Sequence, residues 1–371
     1  MSRQLKLLII AGARPNFMKV APLMKAISQH NSHKENGGKT IDARLVHTGQ
    51  HYDEAMSDVF FRELGIQPPD MNLGVGSGSH AVQTARIMTG FETVCEQEKP
   101  DWVVVVGDVN STMACTLVCS KMGIRVAHVE AGLRSYDRTM PEEVNRIVTD
   151  ALADLLLTPS PDADENLRRE GVPGHKIACV GNIMIDALVE NLPKARQSPV
   201  VKKLGLNGGG FVYVTLHRPS NVDSETDLST IMAHLNRLAR QWHVVFPMHP
   251  RTKKMCAQFG ISLNHDEGLK ILEPIGYHDS LYLTENARLV LTDSGGLQEE
   301  STYFRTPCLT LRPNTERPIT ITLGSNKLTN SERLSADIDE VLKREPRFGK
   351  IPPLWDGRTA ERIISNLVNQ G

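Results

Sequence analysis

At 371 residues the chain is long for a single hydrophobic core, so two domains are expected. Lys plus Arg number 42 against 43 Asp plus Glu, and the resulting net charge of -1 gives no general drive toward nucleic acid, while 40% hydrophobic and 23% charged residues fit a soluble globular enzyme. No apolar stretch is long enough to span a bilayer, the short run ahead of Gly12 and Pro15 is broken by Lys6 and reads as a strand rather than a signal peptide, and six cysteines without a Cys-x-x-Cys pair read as reduced thiols of a cytoplasmic protein.

Residues 5–10 are predicted as a strand and 17–28 as a helix with apolar residues at helical spacing. The pattern then repeats, with a polar loop at 31–40, a strand at 43–46 and a helix at 53–64 whose apolar face carries Met56, Val59 and Phe60. Residues 67–79, with two prolines and three glycines, read as surface loop. The run Trp102-Val103-Val104-Val105-Val106 is continuously apolar, as a central parallel strand covered on both faces requires. Strands at 125–129, 155–157 and 177–180, and a helix opening at Pro141, complete this half.

The stretch 193–210, rich in Pro, Lys and Gly, reads as a domain connector. A second series follows: strand 211–215, helix 228–240, strand 244–246, helix, strand 269–272, helix, a strand ending at Thr292, and a last strand at 308–311. Regular alternation of strands and helices predicts two Rossmann-like parallel-sheet domains, with ligands outside the carboxyl ends of the strands in a cleft between them. The expected division is 1–186 and 187–355, with a helix at 356–371 returning to the first domain.

Polar residues gather where the predicted strands end. Thr292-Asp293-Ser294-Gly295-Gly296-Leu297-Gln298-Glu299-Glu300 reads as strand, glycine turn and helix start. Such a start points N–H groups at an anion, and Glu300 or its neighbour would suit a ribose diol; the alternative is a plain tight turn with two acids behind it. Arg14 and Lys19, after the first strand, would suit a diphosphate or serve as a turn arginine and a solvated lysine. Asp108, Glu130 and Glu142 are three acids at one predicted sheet edge, able to divide into an acid and a base; singly they read as a turn residue, a cap and an (i, i+4) partner of Arg146. His217-Arg218 and His249 follow two strands of the second half without metal-ligand spacing. Arg317 offers another cation, or pairs with Glu316.

With these residues assembled, the chain resembles the non-hydrolysing UDP-N-acetylglucosamine 2-epimerases nearly end to end. The carriers are Gly12-Ala13-Arg14-Pro15 with Lys19, Gly49-Gln50-His51, Gly107-Asp108, the run from His128 to Arg134, Pro141-Glu142-Glu143 with Asn145-Arg146, Gly181-Asn182 with Asp186, His217-Arg218, the run from Thr292 to Glu300, and the run from Thr315 to Pro318. The resemblance implies a paired Rossmann-like fold of the glycosyltransferase-B kind and a cytoplasmic homodimer without metal or cofactor. It also implies conversion of UDP-N-acetylglucosamine to UDP-N-acetylmannosamine by loss and re-addition of UDP through 2-acetamidoglucal. Carried over, catalysis falls to Asp108, Glu130, Glu142 and His217. Substrate and UDP binding falls to Arg14, Lys19, Arg146, His249, Tyr277, Ser294, Gly295, Gly296, Glu300 and Arg317.

Three departures from the pattern stand out, Asn16 and Ile319 where many members carry Glu and the pair Pro219-Ser220 where acids often follow His-Arg. Asp53 also replaces a glutamine of the motif through which regulated members bind a second substrate molecule. A UDP-sugar glycosyltransferase, a hydrolysing epimerase and a non-catalytic UDP-sugar sensor are the competing readings.

Overall fold

Seven short runs, mostly of Val, Leu and Ile, build the first sheet: β1 (Leu5–Ala11), β2 (Ile41–His47), β3 (Met71–Asn72), β4 (Trp102–Val106), β5 (Arg125–Val129), β6 (Leu155–Thr158) and β7 (Ile177–Cys179). They lie in the order β3-β2-β1-β4-β5-β6-β7, with every pairing parallel. The computed structural model describes residues 4–32, 39–49, 67–262 and 268–370. The helix expected at 53–64 lies outside the described residues.

The chain divides into two units, Met1–Ala187 with Pro353–Gly371, and Leu188–Pro352. In the first, all five residues of β4 are buried. Ile87, Phe91 and Val94 of the helix His80–Glu98 and Cys115 and Val118 of the helix Asn110–Met122 pack with Leu8, Val103 and Val105. Phe91 is fully buried, so truncating it to alanine costs about 3–5 kcal/mol.

The last helix, Thr359–Gln370, packs on the helix Arg14–Ser32. Asp186 secures its start, accepting from the Thr359 N–H at 3.0 Å and the Ala360 N–H at 2.7 Å, a cap supplied from a distant part of the chain. Gly181, at φ 96°, admits no side chain: a Cβ there would stand 2.2 Å from the Leu354 carbonyl oxygen.

The second unit is built on β8 (Phe211–Thr215), β9 (His243–Pro247), β10 (Leu269–Leu272), β11 (Leu289–Thr292), β12 (Cys308–Leu311) and β13 (Asn326–Thr329), in the order β10-β9-β8-β11-β12-β13 and again wholly parallel. Both sheets therefore match the expected class of two Rossmann-like parallel-sheet units. Each reverses its strand order once, between β1 and β4 and between β8 and β11, and ligands of such sheets bind outside the strand ends at that reversal.

Two expectations change. The stretch 193–210 is not a free connector: the helix Ile183–Ala195 runs through Pro193, and Val200 and Leu206 are buried against Phe211 and Tyr213, so this segment belongs to the second core. Two strands were not anticipated: β3 lies inside the stretch 67–79 read as surface loop, and β13, Asn326-Lys327-Leu328-Thr329, carries a single aliphatic residue and has no apolar run to announce it.

Candidate functional site

In the first unit the turns after β1, β4 and β5 carry the polar residues singled out above. Asn16 is buried and ties two of these turns together: its Oδ1 accepts from the Gly12 and Ala13 N–H groups at 3.0 and 2.9 Å, and its Nδ2 donates to the Val106 carbonyl at 3.2 Å. A glutamate there could accept but could not donate, so the amide has a local structural reason. Lys19, one turn further along its helix, is buried and forms an ion pair with Glu130 Oε2. Lys19 is therefore not the solvated helix lysine of the alternative reading.

Glu130 itself sits at φ 70°, a left-handed conformation that costs a non-glycine residue about 1–2 kcal/mol. Its second carboxylate oxygen, Oε1, is buried with no hydrogen-bond partner. A carboxylate held in a strained turn with one oxygen unanswered is an expensive arrangement unless something else completes it. Gly107, at φ 68°, packs on the same pair, and a Cβ there would stand 2.7 Å from Lys19 Nζ and 3.3 Å from Glu130 Oε2.

Asp108 receives Arg146 through one carboxylate oxygen, with Nε at 3.1 Å and Nη2 at 2.9 Å. Arg146 also pairs with Glu143, which in turn accepts from the Ser135 and Tyr136 N–H groups. The suggested Glu142–Arg146 pair is therefore replaced by Asp108 and Glu143. Glu143 faces the interior from the first turn of the helix Pro141–Leu152, while Glu142 is exposed. The Arg14 side chain lies outside the described residues.

In the second unit, Asp293 organises the end of β11. It is fully buried and accepts from the backbone N–H groups of His217 and Arg218, at 3.0 and 2.8 Å, and from Asn221 Nδ2 at 3.1 Å. It also stands 2.8 Å from His217 Nδ1. Burial pushes the Asp293 carboxyl up, but the His217 contacts and these backbone donors outweigh it and hold the group below the usual range. The His217 ring is 44% exposed, with Asp293 holding it through Nδ1.

His249 Nδ1 accepts from the Arg251 N–H at 3.2 Å, capping the helix Pro250–Gln258, and its ring lies 5.9 Å from that of His217. Burial, then His217, lower its pKa, so the neutral ring with a proton on Nε2 is favoured.

Ser294 caps the helix Gly295–Phe304 without a side-chain capping bond, and Ser294, Gly295 and Gly296 are all partly exposed. The start of this helix is open to an anion. Arg317 is paired with both Glu299 and Glu316, and Arg312 holds the other oxygen of Glu316 at 2.8 Å. The expected Glu316 alternative for Arg317 is thus present, with a second acid added.

Glu300 is buried beside Glu299 and the Tyr277 phenol. Burial, then the Glu299 charge, push its pKa up to about 8, and the Tyr277 hydroxyl only partly offsets this. Tyr277 is displaced upward too, by burial and by Glu300.

Two positioning residues escaped sequence reasoning. Asp293 stood inside the motif without an assigned role, although a lone acid ending a buried apolar strand is itself a signal. Gln298 donates to the Ser294 carbonyl at 3.3 Å and accepts from Thr315 Oγ1 at 2.7 Å, tying the glycine turn to the loop that carries Arg317.

Two parallel-sheet units, with an open helix start and buried acids in the second and acids with paired cations in the first, define an α/β protein of the two-unit Rossmann-like class. A family model described as UDP-N-acetylglucosamine 2-epimerase matches residues 33–368. The UDP-N-acetylglucosamine 2-epimerase of Methanocaldococcus jannaschii is 41% identical over 98% of this chain and 99% of its own length. A crystal structure of the enzyme from that organism, in complex with UDP-GlcNAc and UDP, aligns with a TM-score of 0.86 over 99% of this chain and 100% of that one. The UDP-2,3-diacetamido-2,3-dideoxy-D-glucuronate 2-epimerase of Pseudomonas aeruginosa is 40% identical over 89% of each chain. The chain belongs to the UDP-N-acetylglucosamine 2-epimerase family.

Proposed function

We propose that this chain interconverts UDP-N-acetylglucosamine and UDP-N-acetylmannosamine by eliminating UDP to 2-acetamidoglucal and adding it back with the opposite configuration at carbon 2. Carbon 2 does not adjoin a carbonyl carbon, so simple removal and return of its proton is not an available route. Departure of UDP from carbon 1 makes an elimination possible instead.

The open helix start at Ser294, Gly295 and Gly296, with Arg317 and His217, suits the departing diphosphate, where fixed donors stabilise developing negative charge. Glu300 beside Tyr277 suits the ribose diol, and His249 lies next to His217. Asp108, Glu130 and Glu142 suit the proton transfers, with Lys19 and Arg146 setting the charge around them. We further propose a cytoplasmic homodimer that needs neither metal nor nicotinamide, a reading supported by composition and by the family resemblance.

The observation that carries this reading is Glu130, whose backbone is strained, whose one oxygen is paired with Lys19, and whose other oxygen is buried without a partner. The test is incubation with UDP-N-acetylglucosamine alone, followed by proton NMR. UDP-N-acetylmannosamine should accumulate to a constant ratio. Free N-acetylmannosamine would indicate the hydrolysing class, and no change without an acceptor would return the glycosyltransferase reading. The same assay with UDP-2,3-diacetamido-2,3-dideoxy-D-glucuronate, the sugar named for the Pseudomonas relative, should give a lower kcat/KM; a higher one would reassign the substrate.

A further inference from the structure

We propose that His128, clamped between Asp150 and the Gly107 carbonyl, is the positioning residue that fixes the Asp108 turn against the Glu130 turn. This rests on the epimerase reading for its consequence, but its geometry stands by itself.

His128 lies in β5 beside Val105 and is wholly buried. Its Nε2 is 2.8 Å from the Gly107 carbonyl oxygen, which can only accept, so Nε2 carries a proton. Its Nδ1 is 2.6 Å from Asp150 Oδ1. Asp150 is surrounded by donors: besides His128, it accepts from the Gly132 N–H at 3.0 Å and from Arg134 Nη1 at 2.6 Å. Burial pushes its carboxyl up, but His128 and Arg134 outweigh that and hold it below the usual range. The ring thus bridges two oxygens, one of a carboxylate and one of a backbone carbonyl. Arg134 is closed off by a two-point contact with Glu170, at 2.8 and 2.7 Å. His128, Asp150 and Arg134 are buried and the chain closes on the exposed Glu170, so neither end reaches the reacting acids.

Through this chain the two turns are tied at their backbones. One end holds Gly107, immediately before Asp108 and packed on the Lys19–Glu130 pair. The other holds Gly132, two residues after Glu130, whose strained φ needs such support. His128 and Asp150 have no exposed surface to offer a substrate, so they act through the acids they place. A displacement of about 1 Å in a catalytic group can cost about 10²-fold in rate.

Three variants test the clamp. His128→Phe keeps a ring and removes both ring nitrogens; kcat should fall about 10²-fold while KM and the Kd for UDP stay within about threefold. His128→Gln places an amide donor near the former Nε2 and should recover turnover to within about tenfold of wild type. Asp150→Asn allows every bond to be remade with a neutral His128, and should also stay within about tenfold. Hydrogen exchange, read without any substrate, should rise in residues 106–112 and 130–134 of the Phe variant and remain unchanged across 211–311. Equal activity in Phe and wild type, parallel loss of kcat and UDP affinity, or a Gln variant as poor as Phe would overturn the proposal. If the Phe variant does not fold, the Gln and Asn variants decide it alone: a loss near 10²-fold in either, with UDP binding intact, overturns it. Wild-type protein that turns over no UDP-sugar would instead defeat the epimerase reading, leaving the exchange result to judge the clamp.

Discussion

Glu300 gives the most quantitative handle on the second unit. Its carboxyl is buried beside Glu299 and is pushed from an ordinary 4.5 to about 8. A carboxyl whose folded pKa is raised contributes stability that is complete below its unfolded pKa and is lost as pH rises through the folded value. The unfolded chain ionises Glu300 above about pH 4.5 while the fold keeps it neutral until about pH 8, so each pH unit in that window costs the wild type about 1.4 kcal/mol.

Glu300→Gln keeps the shape and the Tyr277 neighbour but has nothing to ionise. The variant should therefore gain about 1 kcal/mol over wild type at pH 5, about 3 at pH 7 and about 4–5 above pH 8, all other titrations cancelling in the difference. Urea denaturation at pH 5, 7 and 9, followed by a signal from the second unit, reads this directly. A difference that stays flat or shrinks between pH 5 and 9 would refute the argument. If the carboxylate form receives the ribose diol, the same variant should also bind UDP more weakly despite its greater stability.

At the glycine turn, a Cβ on residue 295 would stand 3.1 Å from Arg317 Nη1 and 3.3 Å from Glu316 Oε1, so Gly295→Val should dislodge Arg317 and weaken UDP binding about 10- to 100-fold by calorimetric titration. Unchanged affinity in a folded variant would reduce the motif to a turn. Asp108→Asn and Glu130→Gln should each slow turnover about 10²- to 10⁴-fold with far smaller effects on UDP affinity, as single-turnover assays and calorimetry would show together. Asp186→Ala removes the acceptor for the Thr359 and Ala360 N–H groups and should lower stability by about 1–2 kcal/mol, with faster amide exchange confined to residues 359–370.

The sheets were legible because parallel strands covered on both faces must be apolar throughout, and Trp102-Val103-Val104-Val105-Val106 cannot be much else. β13 and the two-residue β3 were not, since edge strands are short and less apolar and take their place from neighbours. The glycine turn at 295 and 296 could be read from residue type because only certain residues suit an open helix start. Ion pairing could not: Lys19 and Glu130 are 111 positions apart, and nothing local says that the lysine is buried or that Arg146 will choose Asp108 and Glu143 over Glu142. Asp186 entered the reading only through resemblance, and its work at the start of a helix more than 170 residues away is a property of the folded chain.

The proposed elimination and re-addition of UDP has one direct measurement. The chain is incubated with UDP-N-acetylglucosamine in deuterium oxide, without acceptor, metal or nicotinamide, and the UDP-N-acetylmannosamine formed is examined by NMR at carbon 2. A carboxylate that removes the carbon 2 proton exchanges it with solvent, and the proton delivered from the other face comes from a group equally exchanged. Product carrying deuterium at carbon 2 is the expected result; product that retains its original proton there would rule out elimination.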